Sequence, residues 1–83
     1  MGTFTVKMKH LHGGAYRFIV SNEADAEVAR FKSEHYGMFD WDTPGPFTTK
    51  QQRLVLEPLA TALIGVYVVA AGDRHTAHAA IEM

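Results

Sequence analysis

Apolar and polar residues alternate along the start of the chain. Phe4, Val6, Met8 and His10 fall on one side of the first segment, and Tyr16, Phe18 and Val20 on one side of the segment after His12-Gly13-Gly14. A period of two marks a half-buried strand, so residues 3–21 are expected to form a β-hairpin. The faces set its register. A loop of Gly13 and Gly14 alone would pair Met8 with Ile19 and put the two apolar stripes on opposite faces. A three-residue loop pairs Met8 with Phe18 and Val6 with Val20, so both stripes share one face. The longer loop is the expectation, with glycine in the left-handed position it requires.

From Asn22 the spacing becomes helical. Ala24, Val28, Phe31 and His35 form a stripe, Asn22 suits an N-cap, and Glu23, Asp25 and Glu27 lie where the helix dipole favours negative charge. With Gly37 as the stop, a helix is expected over about residues 23–36. Residues 38–47 contain Pro44, Gly45 and Pro46 and read as an irregular loop. Thr48 and Thr49 each precede a glutamine by three, Gln51 and Gln52, the pattern of a capping box. A second helix should run through Leu56, Leu59 and Leu63 toward Gly65, with Pro58 either kinking it near Leu54 or starting a new short segment. Residues 66–71 are β-rich and Gly72-Asp73 suits a two-residue turn, which would pair Val68 with Ala77, Val66 with Ala79 and Tyr67 with His78. The expected fold is α+β, in the order ββααββ: a four-stranded, mostly antiparallel sheet with two helices packed on one face.

Composition narrows the class. Eighty-three residues suit one small α+β domain over 1–83. Eleven of the apolar residues are alanine, so the stock of large core side chains is small. There is no cysteine, hence no disulfide framework and no cysteine-bearing metal cage. The missing stabilisation points to self-association or a partner. Lys7, Lys9 and His10 break any early apolar run, so no secretory signal is read, and a cytoplasmic protein is expected. Glu57, Pro58 and Thr61 interrupt the apolar stretch 54–71, which leaves it short of the ~20 residues that span a membrane. A net charge of −1 argues against nucleic acid as the main partner. The acids cluster in 23–42, where Asp40 and Asp42 belong.

Candidate chemistry is sparse. His10 with His12, and His75 with His78, have the spacings of metal ligands, but no closed ligand set emerges, and neither metal nor cofactor is expected. Ser21 and Ser33 lack a nucleophile context, and Asp40 and Asp42 lack a constraint on their separation. The strongest pattern is in 36–47, where Tyr36, Phe39 and Trp41 interleave with Asp40 and Asp42 on a proline-stiffened loop. Large rings beside charges on a stiff loop suit a protein interface. Tyr67, Val69, Thr76 and His78 would share the second sheet face and are candidates for contact between copies, making a homo-oligomer the expectation. The function expected is a non-catalytic protein-binding or regulatory module acting on a larger protein through Tyr36, Phe39, Asp40, Trp41 and Asp42. In size and lack of catalytic motifs it is similar to small phage or mobile-element inhibitors of host complexes. The alternative is a dimeric α+β domain with a small-molecule pocket, even an enzyme, lined by His10, Tyr16 or His35. An exposed Trp41 would favour the first and a cavity around those three residues the second.

Overall fold

The computed structural model describes residues 2–35, 38–70 and 76–83; within them, the side chains of 69, 70, 76 and 77 are not part of the description. Five strands form one antiparallel sheet: β1 (Thr3–His12), β2 (Ala15–Ser21), β3 (Glu27–His35), β4 (Met38–Thr43) and β5 (Thr76–Glu82), in the order β4-β3-β2-β1-β5. The first four make a meander, and α1 carries the chain back across one face to place β5 beside β1. α1 comprises three consecutive stretches, Thr49–Gln51, Gln52–Leu56 and Glu57–Ala70. The ββααββ expectation is thus corrected to five strands and a single helix, still of α+β class.

The hairpin register is the expected one: Met8 pairs with Phe18 and Val6 with Val20. The means differs. His12 pairs with Ala15, so only Gly13 and Gly14 form the turn, and the register shifts between His10 and His12. A bulge at Leu11 absorbs the odd residue and brings the two apolar stripes back to one face.

Where a helix was expected over 23–36, the chain turns and forms β3. Asn22 still acts as a cap, but of a turn: its Oδ1 accepts from the amides of Ala24 (2.9 Å) and Ala26 (3.0 Å). Asp25 takes a left-handed φ of 61° between them. Asn and Asp side chains serve both geometries, and tertiary pairing decides. Here Phe18 pairs with Phe31, Val20 with Ala29 and Tyr16 with Ser33. The expected loop 38–47 is likewise half strand: Phe31 pairs with Trp41 and Lys32 with Asp40. Gly45, with φ 61°, then lets the chain leave the sheet; a Cβ there would run into the Val28 carbonyl.

The capping box forms as expected. The Gln51 amide donates to Thr48 Oγ1 (3.1 Å) and the Thr48 amide to Gln51 Oε1 (2.9 Å). Pro58 neither ends nor restarts the helix. The stretch Gln52–Leu56 widens to π geometry, with the Glu57 amide reaching back to the Gln52 carbonyl. A wide turn accommodates a ring that has no amide hydrogen to offer. The valine-rich residues 66–70 continue the helix, so the expected pairing of Tyr67 with His78 does not occur. Instead Ala79 of β5 pairs with Val6 and Ala77 with Met8. Gly72-Asp73 lies outside the described residues.

The core lies between one sheet face and one helix face. Val6, Met8, Phe18, Val20 and Phe31 rise from the sheet to meet Leu56, Ala60 and Leu63, all buried. Phe18 and Phe31 stack with centroids 4.8 Å apart and planes 9° from parallel. The sheet's other face is polar and open to solvent: Lys7, Lys9 and Arg17 are exposed there. Among the described residues no helix is long and apolar enough to cross a membrane.

Candidate functional site

Three side chains from separate elements meet where β1 and β2 approach the helix. His10 and Tyr16 pair across the hairpin, and their rings stack at 5.0 Å and 29°. Tyr67, on α1, stands edge-on to Tyr16 at 6.0 Å. The His10 ring is held at both nitrogens. Nε2 lies 2.8 Å from the Gly13 carbonyl and Nδ1 3.1 Å from the Tyr67 hydroxyl. A carbonyl only accepts, so Nε2 carries the hydrogen, and in the neutral ring Nδ1 accepts from Tyr67. The sequence places His10 on the inner face for a simple reason: it continues the Phe4-Val6-Met8 alternation.

Tyr16 is also a wall of a cleft of about 660 Å³. The start of β2, the end of β3 and the C-terminal half of α1 enclose it through Tyr16, Ser33, His35, Ile64, Gly65 and Val68. The exposed lining is mainly apolar, and the polar groups sit at the β3 end. Ser33 is buried, and its hydroxyl donates to the His35 carbonyl (3.0 Å), which fixes the rim. Glu34 borders the opening and pairs with Lys32 at 3.3 Å. This size and makeup are those of sites that bury a small molecule.

Gly65 shapes the mouth. It lies inside α1, needs no left-handed φ, and a Cβ built on it would meet nothing within 4 Å. Glycine in a helix interior costs about 0.8–1.0 kcal/mol against alanine. Neither backbone conformation nor packing within the chain requires it; the open space beside it is the cleft.

The residues singled out in 36–47 divide between two sides of an edge strand. Phe39 is half-buried, edge-on to Phe18 and Phe31 at 6.2 and 5.9 Å. Trp41 is half-buried too, stacked on Phe31 at 4.2 Å, with Nε1 donating to Glu57 at 3.0 Å. Asp40 and Asp42 are exposed. Tyr36 lies outside the described residues. Of the four proposed for contact between copies, Tyr67 turns inward to His10, and His78 is exposed on the helix-free face, paired with Lys7. The side chains of Val69 and Thr76 lie outside the description. Among the described residues no three His, Asp or Glu side chains converge to hold a metal. His75 is not among them.

Reading from sequence found Tyr16 and His35 but missed Ser33, Ile64, Gly65 and Val68. Gly65 carried the usable signal: a lone glycine within an apolar helical run. Electrostatics elsewhere is local. Arg30 holds the Glu27 carboxyl below its ordinary range, chiefly through a hydrogen bond, and Glu27 in turn raises Arg30. No family model, curated protein or solved structure matches the chain.

Proposed function

We propose that the protein is a binding domain for a small, largely apolar molecule held in the cleft between β2, β3 and α1. The observation that carries this reading is the apolar-lined volume of about 660 Å³ walled by Tyr16, Ile64 and Val68. The ligand has an apolar ring or chain for these walls and one hydrogen-bonding end for the rim at Glu34 and His35. Tyr16 is stacked on His10, which is hydrogen-bonded to Tyr67 and Gly13, and this packing holds the tyrosine wall in place, so little side-chain entropy is lost on binding. Two features support this reading over recognition through 36–47: the cleft takes in both Tyr16 and His35, and Trp41 is packed against Phe31.

The test is substitution at the mouth. Gly65→Leu fills part of the cleft and should weaken binding of an anilinonaphthalene sulfonate dye by at least about tenfold, since about 1.4 kcal/mol is a factor of ten. Gly65→Ala should leave it within about threefold. Equal dye binding by parent and Gly65→Leu would defeat the reading.

A protein-binding role remains as a second reading, narrowed to the outer side of β4. What favours it is Met38, 67% exposed on an edge strand beside exposed Asp40 and Asp42. Strand addition to a sheet edge is a recurring mode of recognition. The two irregularities in the β3–β4 register and the two acids are also devices that guard an edge against such pairing. The cleft is the better-supported site.

A further inference from the structure

We infer that the outward face of α1 is the contact surface for a second copy of the chain. This inference does not rest on the cleft, although the face meets the cleft's mouth at Gly65 and Val68. The inward face of the helix is spent on the sheet through Leu56, Ala60 and Leu63. The outward arc, a half-turn away, should be polar in a helix that meets only water. It is not. Leu54 is 65% exposed and Val66 61%, and Val55, Pro58, Ala62 and Gly65 are exposed between them. From Pro58 to Ala70 the helix carries no charged residue on any face. Exposed apolar surface gathered on one element marks a contact region.

The chemistry of the face selects the occupant. Its basic residues sit at one end only: Lys50 and Arg53, both exposed, precede Leu54, and no Lys or Arg follows along the strip to flank it as on a lipid-surface helix. Beyond Glu57 it has no charge that would steer a partner of complementary charge. An antiparallel two-fold arrangement centred near Ala62 sets this face against itself and holds the two Lys50–Arg53 ends apart, as an isologous contact requires. Steric form agrees. Pro58, Ala62 and Gly65 follow one another at intervals of four and three, on a line down the centre of the arc, with Val55 and Val66 to one side and Leu54 to the other. Two such helices approach closely where small residues cross, and the branched side chains fill the space as the axes diverge.

Area sets the strength. The strip from Leu54 to Val68 is about 22 Å long at 1.5 Å per residue and takes in about half the circumference of a helix about 12 Å across, on the order of 500 Å² of accessible surface once the radius of a water molecule is added. Two copies bury roughly 1,000 Å², the lower limit for specific association. The expected dimer is therefore weak, with a dissociation constant in the micromolar range. It shields residues that the small core of the monomer leaves uncovered.

Sedimentation equilibrium on the full chain at tens to hundreds of micromolar tests this. The parent should fit a monomer–dimer equilibrium. Ala62→Arg places a long charged side chain at the centre of the contact, where the monomer leaves it in solvent. It should weaken association by at least about tenfold, with an unchanged circular dichroism spectrum. Val66→Glu is the second variant, read in the same way should Ala62→Arg fold poorly. Ile19→Arg, on the helix-free face, should dimerise like the parent. A parent that is monomeric throughout the range overturns the proposal and leaves the face to a different partner. So does a dimer that both helix substitutions leave intact, or one that Ile19→Arg breaks.

Discussion

The Trp41 indole donates a hydrogen bond to the Glu57 carboxylate at 3.0 Å, tying the edge strand β4 to the turn of α1 that precedes Pro58. The same ring stacks on Phe31 at 4.2 Å, so Trp41 closes the β4 side of the core. Trp41→Ala removes both contacts and should destabilise the fold by roughly 2–3 kcal/mol, short of a fully buried aromatic because the ring is half-exposed. Glu57→Ala should cost about 1 kcal/mol, and Glu57→Gln, which keeps an acceptor, less. Thermal melts rank the three. Trp41 is the only tryptophan, so native emission reports its surroundings directly. Emission shifted to the blue of the unfolded chain is expected.

Three glycines should respond in three ways. Gly45 has φ 61° and no room beyond its α-carbon, because a Cβ would strike the Val28 carbonyl. Gly45→Ala should cost 2 kcal/mol or more, at about the scale of strained backbone plus a displaced strand. Gly13 shares the left-handed φ, at 52°, but has open space around it, so Gly13→Asn should cost only about 0.5 kcal/mol. Gly65→Ala should raise stability by about 0.5–1 kcal/mol. Denaturant midpoints at constant slope would establish the order; a destabilised Gly65→Ala would mean that the helix glycine is required by the fold.

The ring of His10 should be locked as the Nε2–H tautomer when neutral, since Nε2 faces the Gly13 carbonyl at 2.8 Å. Nitrogen-15 shifts of the imidazole check this. Tyr67→Phe removes the donor to Nδ1 and should cost about 1 kcal/mol while leaving the tautomer unchanged. The opposite tautomer in the parent would mean that Tyr67 is not the donor.

Glu27 should titrate below its ordinary 4.5, because Arg30 hydrogen-bonds its carboxylate. A depressed carboxyl stabilises the folded state above its unfolded pKa, and that contribution fades as the pH falls through the folded value. The pair is at the surface, so the effect on stability should be small and sensitive to salt. A side-chain carboxyl titration followed by NMR should show the value rising in Arg30→Ala. An unmoved titration would remove Arg30 as the cause.

Legibility in the sequence followed how many physical solutions each stretch allowed. The register of Met8 against Phe18 could be deduced because both apolar stripes share a face only if one odd residue is absorbed near the turn, whether in the loop or, as found, in a bulge before it. The Thr48–Gln51 box was legible because capping is local chemistry. Residues 27–35 were not. Val28, Phe31 and His35 satisfy a helical period, while Ala29, Phe31 and Ser33 satisfy a strand period. Pairing with β2 resolved the ambiguity, and Asn22 serves a turn as readily as a cap. Pro44, Gly45 and Pro46 made the whole of 38–47 look like loop, although Asp40 and Asp42 alternating with Phe39 and Trp41 is what an edge strand with one wet face does. The run of valines after Gly65 read as strand, yet it extends a helix that the sheet needs as cover. As for the cleft, Tyr16 and His35 are nearly twenty residues apart, and Gly65 is thirty beyond; only the sheet order brings them together.

The central claim is that the cleft binds a small molecule, and amide chemical-shift mapping tests it most directly. The monomeric Ala62→Arg background separates it from the contact between copies. Titrating in the sulfonate dye, and then a library of small apolar fragments, should perturb the amides of Tyr16, Ser33, His35, Ile64, Gly65 and Val68. The same ligands should lose their effect in Ala62→Arg carrying Gly65→Leu. Perturbations confined to Met38, Asp40 and Asp42 on the outer edge of β4, or none among the cleft residues, would contradict it.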